Sequence, residues 1–219
     1  MNLQEKKAQL ATLREQAQQL ELEIRKEEAS GEPWKATGFY GSYSATTGFM
    51  LGMIAAVISL LVNVAAAPIA GKHPLELIRV YLTFPLGENA LALTGGTKDV
   101  YLVGDGMILA IGCCLYVATG AVLGMLIQVV ISRFTPNGGL ITRLIVASIC
   151  ATALWALSFY GLLAWLQPAL LGGNWITNSE VLPWWVAFAT HLVFGGAMAV
   201  LYPWGQYQPY VRPTAPATS

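Results

Sequence analysis

Hydrophobic and polar positions follow two different patterns along the chain. The first 35 residues are polar and carry six of the twelve Lys and Arg residues and seven of the twelve acids. The chain then runs through four long apolar windows without Asp, Glu, Lys or Arg, at about 48–70, 107–131, 144–166 and 181–203. Each window exceeds the roughly 20 apolar residues that a helix needs to cross a bilayer. The pattern predicts an all-α polytopic membrane protein with a four-transmembrane-helix bundle over residues 48–203.

The polar N-terminal segment has a helical repeat of its own. Residues 2–29 contain neither Gly nor Pro, and their apolar side chains recur with heptad spacing, interrupted by Lys6. We call these side chains the heptad seam: Leu3, Leu10, Leu13, Ala17, Leu20 and Ile24. The spacing predicts a soluble, coiled-coil-like helix over residues 1–30, followed by a juxtamembrane linker over 31–47. The alternative is one amphipathic helix that lies against its own protein or the membrane surface.

Basic residues are unevenly divided between the connections of the predicted bundle. The segment 132–143 carries Arg133 and Arg143 and no acid, whereas 167–180 carries no Lys or Arg. Basic residues are enriched in cytoplasmic loops. We therefore expect both termini on the cytoplasmic side, with residues 204–219 as a disordered cytoplasmic tail.

The predicted location is the bacterial inner (plasma) membrane, because no targeting peptide is recognisable. A secretory signal cleaved near Val64–Ala67 is the alternative. It is disfavoured because 47 polar, charge-rich residues precede the apolar run, whereas a secretory signal lies within about the first 30 residues.

The connection between the first two windows, residues 71–106, is long for a turn. A polar stripe recurs in it with helical spacing, formed by Lys72, Glu76, Arg79 and Thr83. The stripe predicts an interfacial helix that keeps its polar side wet and ends at Pro85. The apolar, Gly-broken stretch 86–103 is expected to be either a capping flap or a re-entrant piece.

Small residues recur at four-residue intervals inside three of the windows. Such residues let membrane helices approach closely. They predict a compact bundle that packs through Gly48 and Gly52, through Gly112, Gly120 and Gly124, and through Gly195 and Ala199.

His191 is the one ionisable group of the fourth window, and it shares the face of Gly195 and Ala199. An intramembrane ionisable residue is a functional hypothesis by default. Haem ligation, proton relay and solute coupling are the candidate roles. However, the second histidine, His73, lies in the outer loop, and the windows contain no carboxylate. A neutral imidazole bonded to a neighbouring helix accounts for the residue with fewer assumptions.

Composition removes several classes of function. A formal net charge of zero gives no basic patch for nucleic acid. Cys113, Cys114 and Cys150 all lie in apolar runs without metal-ligand spacing, so they are interpreted as packing residues. The sequence predicts no catalytic, cofactor or metal site, no small-molecule ligand and no enzymatic activity.

The leading functional hypothesis is a non-catalytic scaffold or accessory subunit of a membrane complex. It would contact membrane lipid and associate with itself or with a membrane-complex partner through residues 3–24. The alternative is a small oligomeric transporter or channel with a path lined by Asn63, Tyr116, Gln128 and His191.

Overall fold

Helices account for all the regular structure over the residues that the structure, a computed structural model, describes: 3–29, 40–93 and 103–207. The chain divides into two units, Met1–Thr37 and Gly38–Ser219. Within the second unit, four helical stretches are long and apolar enough to cross a membrane. The predicted all-helical class with four candidate spans is confirmed at this level, and coiled-coil pairing of the first unit stays a prediction.

The first unit contains helix α1, Leu3–Ala29. Gln, Glu, Leu and Ala dominate it, and these residues have high helix propensity. Every side chain from 4 to 26 is exposed, including Ala17. The seam residues Leu10, Leu13, Leu20 and Ile24 are 48–62% exposed, and the side chain of Leu3 lies outside the described residues. The heptad seam is therefore uncovered over most of its length.

The first span is helix α2, Gly41–Ala66, which continues into a 3-10 turn at Ala67–Ala70. It begins seven residues before the predicted window, because its first polar side chains form hydrogen bonds to backbone carbonyls of the same helix. Thr46 and Thr47 each donate a 3.0 Å hydrogen bond to a carbonyl four residues earlier. Residues 41–47 thus belong to α2 and not to a linker, and residues 30–39 lie outside the described part of the chain.

The other spans also differ from their windows at the ends. The helices are α4 (Val103–Phe134), α5 (Leu140–Ala156), a π-helical turn that we call the π segment (Leu157–Leu163), α6 (Ala164–Leu171) and α7 (Trp184–Leu201), followed by a 3-10 turn (Tyr202–Gly205). The third span begins four residues early and includes Arg143, whose guanidinium stacks 4.4 Å from the ring centre of Tyr202. The fourth begins three residues late, at Trp184, because Pro183 occupies the position before the helix. The tail beyond residue 207 lies outside the described residues.

Glycines bring the backbones of α2 and α4 into direct contact. A Cβ atom added at Gly48 would lie 2.7 Å from the carbonyl oxygen of Gly124, and one added at Gly124 would lie 2.5 Å from that of Gly48. Gly52 and Gly120 oppose each other in the same way. At such separations backbone dispersion and weak Cα–H hydrogen bonds hold membrane helices together.

The remaining small residues lie at other contacts. Gly195 of α7 faces α5, where an added Cβ would lie 2.9 Å from that of Ala151. Gly112 does not meet α2; it faces Ile78 and Leu82 of the outer helix α3, Glu76–Leu86. Ala199 is fully buried in the main core.

Helix α3 is buried on two sides, so the wet polar stripe predicted for it is wrong at Thr83, while the side chains of Glu76 and Arg79 stay 24% and 18% exposed. Thr83, the last member of that stripe, is fully buried. Ile78 and Leu82 pack against α4, and Val80 joins a second cluster with Ile176, Leu182 and Ala187. The helix ends at Leu86, one residue beyond the predicted end at Pro85, which lies inside its last turn. The stretch proposed as a flap begins as a 3-10 turn, Gly87–Ala92, and residues 94–102 lie outside the described residues.

Candidate functional site

Ser59 joins three helices through a buried chain of hydroxyls. Tyr116 of α4 donates a 3.3 Å hydrogen bond to the Ser59 hydroxyl. Ser59, fully buried in α2, donates in turn to the carbonyl of Thr190 in α7 at 3.0 Å. Buried polar groups are stable only when they are paired, so this chain fixes the relative positions of α2, α4 and α7.

Asn63, one turn further along α2, extends the same hydrogen-bond network by contacting both Ser59 and Thr190. Its Nδ2 donates to the carbonyl of Ser59 at 2.8 Å, and its Oδ1 is 3.1 Å from the Thr190 hydroxyl. The single hydroxyl hydrogen of Thr190 is shared between this oxygen and the carbonyl oxygen of Val186, which is 2.7 Å away. Sequence reasoning singled out Asn63 and Tyr116 but missed Ser59 and Thr190. The available signal was their spacing, since Ser59 is four residues from Asn63 and Thr190 is adjacent to His191.

The imidazole of His191 is next to this network and is held in one tautomer. Its Nδ1 lies 2.8 Å from the carbonyl oxygen of Ala187, which belongs to the same helix and not to the neighbouring helix that the sequence predicts. Because a carbonyl oxygen can only accept, Nδ1 carries the proton, and in the neutral ring Nε2 presents a lone pair. The ring also packs edge-on against Phe159, with 5.8 Å between ring centres. Among the described residues, Nε2 has no hydrogen-bond partner.

His191 lines a cavity of about 550 Å³ between α3, α4, the π segment and α7. Ligand sites for small molecules typically enclose about 300–1,000 Å³. The cavity is partly open and mostly apolar. Its apolar walls include Ala56, Leu77, Val80, Phe84, Pro85, Leu115, Gly120, Leu123, Phe159, Leu162, Leu163, Ile176, Leu182, Ala187 and Phe194, and its polar members are Tyr81, Tyr116, Thr119, Ser158, Thr190 and His191.

The π segment shapes one wall of this cavity. Four of its seven residues line the space: Ser158, Phe159, Leu162 and Leu163. The carbonyl of Gly161, in the middle of the segment, accepts a 2.7 Å hydrogen bond from the Trp165 indole. Short π-helical insertions in α-helices are frequent at functional sites. Nothing in the sequence of this mostly apolar stretch predicted the π-helical turn.

A second polar cluster, centred on Gln167, anchors α3 beside the cavity. Gln167 is fully buried in α6, although the sequence placed it in a connection. Its Nε2 donates to the Thr83 hydroxyl at 3.0 Å, and its Oε1 accepts from the backbone N–H groups of Trp175 and Ile176 at 2.9 and 3.0 Å. The cluster ties α3, α6 and the 174–177 turn together.

Gln128 is far from the other residues of the predicted path. It lies twelve residues after Tyr116 on α4, about 18 Å along the helix. Its side chain is fully buried near Gly48 and Gly205, and its amide has no hydrogen-bond partner among the described residues. The structure therefore brings Asn63, Tyr116 and His191 together and leaves Gln128 apart.

Comparison of the chain with protein-family models, with curated proteins and with solved structures found no match.

Proposed function

We propose that the protein is a non-catalytic integral membrane protein that serves as a scaffold or accessory subunit of a membrane complex. One observation carries the proposal: the heptad seam of α1 is exposed along residues 10–24, with a Leu or Ile side chain at four of its positions. A helix with an apolar seam gains stability when the seam packs into a second helix. The seam is thus a surface for another helix.

Anchoring in a bilayer favours such pairing. Three and a half heptads are marginal for a free helix pair in water. Two chains whose α1 helices are tethered to the same membrane meet at a high effective concentration, which strengthens the pairing without new contacts. The same argument holds for a helix on a different membrane subunit.

The test compares two aspartate variants of equal exposure on opposite faces of α1. Leu20 lies in the seam and Leu22 outside it, and both side chains are 58% exposed. Two residues correspond to about 200° around the helix. We expect wild type in mild detergent to have the mass of a homo-oligomer or of a complex with a co-purifying protein. Leu20→Asp, alone and more fully when combined with Leu13→Asp, should reduce the mass toward that of one chain, and Leu22→Asp should leave it unchanged.

If wild type is a single chain in detergent, and the variant that lacks residues 1–30 is also a single chain, the proposal is contradicted. Retention of the oligomer in the Leu13→Asp/Leu20→Asp variant would show that the bundle, and not the seam, holds the copies together. The two variants leave the apolar spans untouched, so insertion and folding of the second unit serve as the internal control.

We propose the bacterial inner membrane as the location, with both termini cytoplasmic. Three connected features share one end of the bundle. The Tyr43 hydroxyl, near the start of α2, lies 3.5 Å from the carbonyl of Gln206, beyond α7. Arg143, after the 135–139 connection, stacks on Tyr202. This end also carries Arg133, and basic residues favour the cytoplasmic side.

The alternative function, a small oligomeric transporter or channel, rests on His191 lining the cavity. One contact argues against a continuous path through a single chain. The backbones of α2 and α4 touch at Gly52 and Gly120, and Gly120 lies between Tyr116 and Gln128 along α4. A flux assay in liposomes separates the two functions. Solute- or ion-dependent flux that is lost in His191→Ala would favour transport, and its absence in wild type would favour the scaffold.

A further inference from the structure

We propose that the cavity beside His191 binds an uncharged amphiphile with a hydroxyl headgroup, such as a long-chain or isoprenoid alcohol. The site lies inside the membrane bundle and is independent of the scaffold role of α1. Three features of the cavity lead to this class of ligand: its lack of charge, the direction of its hydrogen bonds and its depth.

Among the described residues that line the cavity, none carries a carboxylate, ammonium or guanidinium group. A charged ligand would enter a mostly apolar space without a counter-ion, and an unpaired charge is strongly disfavoured there. Fatty acid anions, phosphates and metal ions are therefore poor candidates. A neutral molecule with a long apolar body fits the walls.

Most polar groups of the cavity already donate their hydrogen bonds to other atoms of the protein. Tyr81 and Thr119 share a 2.6 Å hydrogen bond, and their hydroxyls also lie 3.4 and 3.0 Å from the carbonyl of Leu115, so both hydroxyl protons are used within the protein. The hydroxyls of Tyr116 and Thr190 likewise donate to protein oxygens. What these groups still offer a ligand is lone pairs.

His191 adds the strongest acceptor of the set. Its Nδ1–H is bound to Ala187, so only the Nε2 lone pair is free to meet a ligand. A ligand hydroxyl can donate to Nε2, whereas an ester or ether of the same shape cannot. Ser158 has no hydrogen-bond partner among the described residues and can accept from the ligand or donate to it. An alcohol satisfies both kinds of neighbour.

The depth of the cavity indicates that its ligand comes from the lipid phase. Leu115 lines it from α4, twelve residues into that helix, or about 18 Å from the end of α4. Helix α4 is 32 residues long, or about 48 Å, so when centred it overhangs the ~30 Å hydrocarbon layer by roughly 9 Å at each end and places Leu115 about 9 Å inside that layer. Leu162 lines the cavity from the π segment, and both leucines are exposed. A molecule dissolved in the bilayer can therefore reach the space between α4 and the π segment.

The experiment uses the full chain in phosphatidylcholine nanodiscs and a sixteen-carbon alcohol that carries a mid-chain diazirine. After irradiation, labelled peptides are mapped by mass spectrometry, with oleyl alcohol or methyl oleate as competitor. The two competitors share one chain and differ in the hydroxyl donor. We expect labels on α3, α4, the π segment and α7, and competition by oleyl alcohol at roughly tenfold lower concentration, the ratio that one net hydrogen bond of ordinary strength gives.

Three variants complete the test. His191→Phe removes the acceptor while keeping a ring of similar size, so labelling should persist but the preference for the alcohol should disappear. Ser158→Phe narrows the cavity and should weaken labelling of its walls. Thr152→Phe, an exposed position of α5 that does not line the cavity, is the matched control and should behave as wild type.

Two results would overturn the proposal. Equal competition by oleyl alcohol and methyl oleate in wild type would mean that acyl chains of any kind fill the cavity. A preference for the alcohol that survives in His191→Phe would remove the imidazole from recognition. Neither result bears on the oligomer test of α1, so the two proposals fail separately.

Discussion

The side-chain amide of Gln167 donates a 3.0 Å hydrogen bond to the hydroxyl of Thr83, and both side chains are fully buried. The bond joins the third span to the outer helix α3. Because Gln167 also accepts from two backbone N–H groups of the 174–177 turn, one side chain connects three segments beside the His191 cavity.

Replacing Gln167 by Leu should destabilise the bundle more than replacing Thr83 by Val. The first change leaves two backbone N–H groups and one hydroxyl without this partner, and each buried unpaired group costs about 1–3 kcal/mol. The second leaves only one amide hydrogen unpaired. The free energy of unfolding, measured by SDS titration in mixed micelles, should therefore fall further for Gln167→Leu.

Two further variants make this comparison decisive. Thr152→Val removes an exposed hydroxyl that bonds only to its own helix, so its effect should stay within about 0.5 kcal/mol. In the double variant Thr83→Val/Gln167→Leu the losses should be less than additive, because both changes remove the same bond. Strict additivity would show that the Thr83–Gln167 bond contributes nothing.

Replacing the two adjacent glycines of α7, Gly195 and Gly196, by alanine should have different effects on the free energy of unfolding. At Gly195 an added Cβ would lie 2.9 Å from the Cβ of Ala151 and 3.0 Å from the carbonyl oxygen of Ala147, so α5 and α7 must move apart. At Gly196 it would meet nothing within 4 Å. We expect Gly195→Ala to lose about 1–3 kcal/mol of unfolding free energy and Gly196→Ala to lose none, or to gain up to about 1 kcal/mol from helix propensity. Equal effects in the same SDS titration would contradict this packing.

Arg79 should hold the turn that follows α3. Its guanidinium pairs with Glu76 at 2.9 Å and donates to the carbonyl of Leu91. We expect Arg79→Gln to accelerate hydrogen exchange of the backbone amides in residues 87–93, because the turn loses its anchor and opens more often. Glu76→Gln should have a smaller effect, since the bond to Leu91 remains.

The control for this prediction is Lys72→Gln, which removes an exposed positive charge from the same connection. If Lys72→Gln accelerates exchange as much as Arg79→Gln does, net charge and not the Leu91 contact is responsible. Mass-spectrometric hydrogen exchange on the full chain in detergent distinguishes the two.

The sequence predicts the existence of the spans well because the bilayer imposes a minimum length of apolar residues. It predicts their ends poorly, since short-range hydrogen bonds and stacking are invisible to hydropathy. Thr46 and Thr47 extend the first span by bonding to their own helix, and Arg143 extends the third by stacking on Tyr202. Each of these residues is polar and was assigned to a connection.

The cavity could not be predicted, because it depends on how the helices are placed relative to one another. His191 was expected to point into the bundle from its spacing, but nothing in the sequence indicated open space beside it. The π segment has the same apolar composition as the helices that flank it. Thr83 was assigned to a wet stripe because a helical pattern shows which residues share a face and not what covers that face.

Cysteine accessibility tests the central claim, that the four apolar spans cross a lipid bilayer with the 135–139 connection on the cytoplasmic side. In a background with Cys113, Cys114 and Cys150 replaced by Ala, single cysteines are placed at Asn137 and Ser179, both exposed. Intact cells are then treated with a membrane-impermeant maleimide. We expect Ser179→Cys to react at once and Asn137→Cys only after permeabilisation. Labelling of Asn137→Cys in intact cells, or identical labelling of both positions, would contradict the account.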